Sequence, residues 1–368
     1  EQGPSADPVL FKKRRHQSGK KTPKYGRDQL YRGRTIDMKS KKRFKIIRIV
    51  LFLAICAVLS GCLNWITMPP NVVWMNLHKV KEEGPFDYLF IGTSHGQYGI
   101  SPGKVDEVTG KKSFNLCMAD EYPVDTYYLM KEACRKQKPE KIIYELDPSY
   151  WILDQRLGST SIFFYKEFPW SLNKAEYFAN KIMELEFRGT LFPWSYYKNN
   201  LLLAKETAKK KLSPAYQSHD PKILDVPGGH YADRGFLYQD KVEGADKGTF
   251  NNVPWDEGQI RPAALEYFRK MVRFCKEEGI ELEVITLPVP ADTIANMPDS
   301  FRQSDAYFKA LTKKYQVPYK NFNFDDGLNI DRSMEGYWDY DGICTAKRQK
   351  DSAQSWENIC RRMRQKKK

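Results

Sequence analysis

The sequence contains few histidines and no paired cysteines. Five His occur among 368 residues, and the seven Cys are dispersed, with no CxxC pair and no His/Cys cluster at metal-ligand spacing. An odd, scattered set of cysteines is typical neither of a disulfide framework nor of a zinc site. We therefore expect no metal and no cofactor.

The central part of the chain also lacks excess positive charge. The net charge is +14, but residues 1–48 carry 16 Lys/Arg against 4 Asp/Glu and residues 342–368 carry 9 against 2, which leaves the stretch between them at −5. A nucleic-acid-binding domain would spread basic residues over a folded face. We therefore expect no nucleic-acid partner.

One long apolar run is present. Residues 49–68 read IVLFLAICAVLSGCLNWITM, contain no charge and follow a cluster of Lys and Arg. A run of about 20 apolar residues is long enough to span a bilayer as a helix. We predict a transmembrane signal anchor over residues 46–68. Basic residues before it keep the N-terminus cytoplasmic, which makes a single-pass cell-membrane protein that contacts membrane lipid and has an extracytoplasmic C-terminal domain. Alternatively, Leu59–Cys62 is a lipobox, and Cys62 is the anchor of a lipoprotein.

Residues 1–45 form a basic, polar segment with no sustained apolar period. We expect a cytoplasmic or disordered tail here. Met38, followed by KSKKRFK, resembles the natural start of a signal segment. Residues 1–37 are therefore interpreted as a non-native extension.

Residues 69–341 alternate short strand-like and longer helix-like patterns. Strands are predicted at 87–92, 113–116, 141–146, 281–287 and 317–322, and helices between several of them. This alternation favours an α/β fold with a parallel, doubly wound sheet. The aromatic-rich stretch 150–255 breaks the pattern and is predicted to be an insertion over the active edge.

The motif Phe90–His95, FIGTSH, follows the first predicted strand directly. A Ser on the turn after a parallel strand lies at the carboxyl edge of the sheet, where backbone N–H groups can stabilise an oxyanion. Ser94 is therefore the candidate nucleophile.

Three segments together, FDYLFIGTSHGQYGISP, KSFNLCMADEYPVDTYYLM and PEKIIYELDPSYW, resemble the membrane-anchored SGNH/GDSL hydrolase-like family of Gram-positive bacteria. Relatives in that family include DltD and the AlgJ/AlgX-type acetyltransferases. The resemblance implies a flavodoxin-like three-layer α/β/α fold with Ser94 as nucleophile. It also implies that Gly92, Asn115 and the Cys117 amide form the oxyanion region and that Glu145 shapes the site. Relatives commonly have Gly where this chain has Cys117.

The last block of such a site requires a late Asp and His. Asp341 or Asp339 fits the position of the carboxylate that orients the base, but no His follows either of them. His95 is a secondary candidate for the base. We interpret the basic tail 342–368 as the product of a frameshift, and the alternative is a natural pseudoenzyme.

The resemblance implies a surface-anchored SGNH-like acyltransferase or esterase. It would act on O-acyl groups of cell-envelope polysaccharide or teichoic acid, beside a multispanning membrane O-acyltransferase. Without the late His, its turnover is expected to be impaired. The alternative is a non-catalytic SGNH-like carbohydrate-binding or scaffold protein.

Overall fold

A computed structural model describes residues 25–155, 159–184, 189, 191–240, 253–325, 330–340 and 342–344. The chain divides into two compact units, residues 1–59 and 60–368. The first helix, α1 (Tyr25–Thr67), contains a stretch, Lys41–Thr67, within which an 18-residue window has a mean hydropathy of 2.6. Among the described helices, it is the one that by length and composition is able to cross a membrane. An apolar N-terminal helix of the predicted kind is therefore present.

The second unit is built on a parallel sheet. The described strands are β1 (Tyr88–Gly92), β2 (Ser113–Asn115), β3 (Lys141–Glu145), β4 (Gly229–Asp233), β5 (Phe236–Gln239), β6 (Glu281–Thr286) and β7 (Tyr319–Asn321). Five of these described strands form the sheet in the order β2-β1-β3-β6-β7, and every neighbouring pair is parallel. This is the doubly wound order of flavodoxin-like sheets. The prediction of an α/β fold with a parallel sheet is confirmed.

Helices connect and cover these strands. They are α2 (Val72–Glu82), α3 (Ser94–Gly99), α4 (Pro102–Thr109), α5 (Pro123–Cys134), α6 (Ser149–Ile152), α7 (Ser159–Glu167), α8 (Leu172–Glu184), α9 (Pro193–Tyr196), α10 (Ala204–Lys211), α11 (Pro214–Gln217), α12 (Pro262–Glu278), α13 (Ala291–Asn296) and α14 (Pro298–Lys314). Short 3₁₀ turns lie at Lys198–Leu203, Pro221–Leu224, Glu257–Gln259 and Met334–Gly336.

The two faces of the sheet bury different cores because side chains alternate along a strand. Leu89 and Ile91 of β1 belong to the larger core, which includes residues of α5, α12 and α14. Phe90, between them, belongs to the smaller core with Val105 of α4. Both faces of the central strands are therefore covered, as a parallel sheet requires.

The β4–β5 hairpin, part of the predicted insertion, covers the edge of the sheet beside β2. The Asn115 amide donates to the Arg234 carbonyl at 2.9 Å, and Arg234 Nη1 donates to the Ser113 carbonyl at 3.0 Å. Gly235 has φ +91°, and a Cβ there would lie 1.7 Å from the Asn115 carbonyl oxygen. Only glycine allows the hairpin this close to the edge strand, whose backbone groups it satisfies.

Candidate active site

The Ser94 turn is fixed by contacts with β3. β1 ends at Gly92, Thr93 is the N-cap of α3, and Ser94 is the first helical residue. Glu145 Oε2 accepts hydrogen bonds from the Thr93 amide and hydroxyl, both at 2.8 Å. The Ser94 N–H is in the first turn, where amides have no intrahelical acceptor, so it is suited to stabilise an oxyanion.

Gly92 permits the close approach of β1 to β3 at this point. Its φ is +146°, and a Cβ on it would lie 2.3 Å from the Glu145 carbonyl oxygen. A larger residue would therefore displace either Glu145 or the turn that carries Ser94. Gly92 shapes the site through its backbone.

Asn115, at the end of β2, holds the other end of α3. Its Nδ2 donates to the carbonyl oxygens of Gly96 and Ile100, both at 2.8 Å, and its Oδ1 accepts from the Cys117 amide at 3.0 Å. All of these groups are buried. Asn115 is therefore a positioning residue for the helix that carries Ser94.

Cys117 packs directly against α3. It is fully buried, and a Cβ built on Gly96 would lie 2.4 Å from its Sγ. Burial raises the pKa of the Cys117 thiol, and the nearby Glu145 adds to this. Because its amide already donates to Asn115, the geometry gives no support to an oxyanion role for that N–H.

Ser94 opens into a cavity of about 470 Å³ at the carboxyl edge of the sheet. Residues after β1, β2, β3, β6 and β7 converge there, as expected for a doubly wound sheet. Its polar lining residues include Ser94, His95, Asp120, Asp147, Ser149, Ser300, Ser304, Asn321, Asn323 and Asp339. This volume is in the range of small-molecule sites.

His95 lies in this cavity beside two carboxylates from the end of β3. Its Nδ1 is 3.8 Å from Asp147 Oδ2 and 4.0 Å from Glu145 Oε1. Glu145 is fully buried, and this burial raises its pKa, while His95 opposes the rise. An imidazole beside carboxylates is the arrangement that orients a general base.

A loop from the C-terminal part of the chain forms another wall. Tyr337 and Cys344 form an antiparallel bridge, and Asp339 Oδ1 accepts from the amides of Gly342 and Ile343, both at 3.1 Å. Gly342 has φ +108°, and a Cβ there would lie 3.4 Å from His95 Nε2. Gly342, which the sequence placed in the atypical tail, therefore packs beside His95, and Ile343 of the same tail lines the cavity.

The predicted site residues are brought together to different degrees. Ser94, His95 and Asp339 line the cavity; Gly92, Asn115 and Glu145 support the Ser94 turn. Asp341 lies outside the described residues. Sequence reasoning did not single out Asn321 and Asn323. Their position at the carboxyl end of the predicted strand 317–322 is the signal that would have indicated them.

Comparisons with known proteins are sparse. No family model matches the chain, and no curated protein matches it. Among solved structures, it is similar to the crystal structure of a putative acylhydrolase from Bacteroides fragilis, with 9% identity and a TM-score of 0.32, over 75% of this chain and 86% of that chain. At this TM-score, function has to be argued from the site.

Proposed function

We propose that this chain is a membrane-anchored serine acyltransferase or esterase of the SGNH type, with Ser94 as nucleophile. The observation that carries the proposal is the position of Ser94. It begins a capped helix at the carboxyl edge of a parallel sheet, and it shares a cavity with His95 and its carboxylate neighbours. This arrangement has the parts of a nucleophile, an oriented base and an oxyanion donor.

In the proposed reaction, Ser94 Oγ attacks the carbonyl carbon of an acyl ester and gives up its proton to a base. The Ser94 amide stabilises the oxyanion, and the carbon–oxygen bond to the leaving alcohol breaks as that alcohol takes up a proton. A water or an acceptor hydroxyl then attacks the acyl-serine and restores Ser94. Each step conserves protons and needs no cofactor.

His95 is proposed as the base. Among the described residues it is the histidine that lines the cavity. Consecutive residues on a helix point in different directions, so a bound water or the acceptor hydroxyl is expected to bridge Ser94 and His95. Asp147 and Glu145 would hold the imidazole and stabilise its charged form. Asp339 and Asp341 remain the candidates from the late block for orienting a base.

The proposed setting is the outer face of the cell membrane. The uncharged run at residues 49–68 and the basic residues before it support a single-pass anchor with the catalytic unit extracytoplasmic. The proposed substrates are O-acyl groups of cell-envelope polysaccharide or teichoic acid, with a multispanning O-acyltransferase as partner. The proposed substrates and the proposed partner are both implied by the sequence resemblance.

Hydrolysis of p-nitrophenyl acetate by the full chain in detergent micelles tests the chemistry. Ser94→Ala is expected to abolish turnover, and His95→Gln to reduce kcat by about 10²-fold or more. Ser304→Ala is the matched control, because Ser304 lines the same cavity and its hydroxyl donates to the Phe301 carbonyl at 3.0 Å. A fluorophosphonate probe should label Ser94. Turnover that survives Ser94→Ala would refute the proposal, and a wild-type chain that neither turns over nor labels would favour a binding protein.

A further inference from the structure

Exposed large apolar side chains of the second unit are concentrated in one part of the chain. Among the described residues after α1, they lie between positions 170 and 212, with Val226 as the exception. Trp170 is 91% exposed and Leu202 is 90% exposed. We call the following set the aromatic–leucine patch: Trp170, Leu172, Leu191, Phe192, Tyr196, Leu201, Leu202, Leu203 and Leu212. Where such side chains share a contiguous surface, they mark an interaction site.

Three hydrogen bonds attach the segment that carries this patch to the last residues of α1. The Trp194 amide donates to Asn64 Oδ1 at 2.8 Å, and Asn200 Nδ2 donates to the Thr67 carbonyl at 2.9 Å. Lys211 Nζ donates to the Trp65 carbonyl at 2.9 Å. The part of the patch between residues 191 and 212 therefore lies beside the C-terminal end of α1.

The length of the apolar helix gives the depth at which the C-terminal end of α1 lies in a bilayer. A helix rises about 1.5 Å per residue, so about 20 residues cross a hydrocarbon core about 30 Å thick. Counted from Ile46, just after the basic cluster, the span ends near Trp65. Tryptophan is enriched at this boundary between acyl chains and headgroups. The segment bonded to residues 64–67 is therefore placed at the interface.

Basic side chains accompany the patch. Lys205, Lys209 and Lys210 of α10 are exposed and form no ion pair with a described residue. Lys211 is partly buried where it donates to the Trp65 carbonyl, and burial lowers its pKa to about 8. Leucines and aromatics beside free lysines are the composition of surfaces that lie in a bilayer interface and attract anionic lipid.

We propose that the aromatic–leucine patch rests in the membrane interface at the C-terminal end of α1, where the neighbouring Lys205, Lys209 and Lys210 contact anionic lipid headgroups. This inference rests on the proposed membrane anchor. It adds a second membrane contact besides the anchor.

The test uses the full chain in nanodiscs whose lipids carry bromine on the acyl chains, which quenches nearby tryptophan. Leu202→Trp adds a fluorophore within the patch, and Val226→Trp adds one at a 63%-exposed position outside it. Relative to wild type, the added emission of Leu202→Trp is expected to fall by about half or more, and that of Val226→Trp to be unchanged. Quenching at position 202 should weaken when phosphatidylglycerol is replaced by phosphatidylcholine or in Lys209→Glu/Lys210→Glu.

Trp65→Phe separates failure of the anchor from failure of the patch. If native emission contains a quenched component that Trp65→Phe removes, the anchor is inserted. An unquenched Leu202→Trp in such discs would then overturn the patch proposal alone, and a blue-shifted but unquenched signal would show cover by protein, which also overturns it. If Trp65 is not quenched, the anchor itself is wrong. Equal quenching with and without anionic lipid would refute the lysine contacts.

Discussion

Glu121, between β2 and α5, provides a test of whether the core excludes water from a buried carboxyl group. The carboxyl group is 1% exposed, and among the described residues neither oxygen has a hydrogen-bond partner at normal geometry. Burial raises the pKa of Glu121 well above its ordinary value; the nearby Thr126 hydroxyl opposes the rise, and Asp125 and Glu145 add to it. The charged form is therefore costly in the folded state, and Glu121→Gln should remove that cost without changing the shape of the side chain.

The sign of the pH dependence follows from the raised pKa. Below the unfolded-state pKa of about 4.3, both states carry the neutral acid, so wild type and Glu121→Gln should have similar stability. As the pH rises toward the folded-state pKa, the unfolded state ionises first, and wild type loses about 1.4 kcal/mol for each unit by which the folded pKa exceeds the unfolded one. Above the folded pKa the loss is constant. We expect Glu121→Gln to be more stable than wild type at pH 8 by about 1–3 kcal/mol, the desolvation cost of a buried polar group.

Urea unfolding of the full chain in micelles, followed by tryptophan fluorescence from pH 5 to 9, measures this difference. Glu277→Gln is the control, because Glu277 is an exposed residue of α12 and its stability difference should not depend on pH. Parallel pH profiles of Glu121→Gln and wild type would contradict the reasoning. They would mean that water reaches the carboxyl group in solution.

Two further predictions concern the contacts that hold α3. Asn115→Leu removes three hydrogen bonds and leaves the Ile100 carbonyl and the Cys117 amide without a partner among the described residues, whereas the Gly96 carbonyl keeps its bond from the Ile100 amide. We expect a loss of about 2 kcal/mol or more in urea unfolding, and a loss below about 1 kcal/mol would contradict the positioning role. Gly96→Ala drives a methyl group into the Cys117 side chain and should cost about 1–3 kcal/mol. Cys117→Gly should restore most of that stability in the double variant, which a double-mutant cycle will show as a coupling energy.

Much of the sheet was predictable because its strands are buried on both faces. Strands predicted at 87–92, 141–146 and 281–287 are present, each one residue shorter as a strand. The strands predicted at 141–146 and 281–287 lose their last residue, where the chain leaves the sheet at its carboxyl edge to form the site, whereas the strand predicted at 87–92 loses its first residue. The ladder nevertheless continues through the Leu146 amide, which donates to the Ile285 carbonyl at 2.8 Å. Apolar runs indicate where a strand lies but not where its last ladder bond falls.

The insertion was less predictable because its contacts are distant in sequence. The β4–β5 hairpin pairs with β2 across more than a hundred residues, and its approach depends on Gly235. Similarly, the residues beside His95 come from the end of β3, about fifty positions away. The imidazole that lines the cavity belongs to His95, which is adjacent to the nucleophile in sequence. A motif that requires a His after Asp341 therefore does not detect it.

The departure at Cys117 has a physical explanation in the contact between α3 and the end of β2. These two elements lie so close that the space holds one side chain, and in this chain Cys117 Sγ occupies it opposite Gly96. A glycine at 117 would leave the same space for a residue at 96, so the contact requires a small residue on one side only. On this reasoning the presence of Cys117 does not by itself argue against a working site, since α3 keeps its place and Asn115 keeps its bonds to Gly96 and Ile100. The cycle of Gly96→Ala with Cys117→Gly tests this directly. If the two side chains do not compete for the same space, their effects on the free energy of unfolding will be additive.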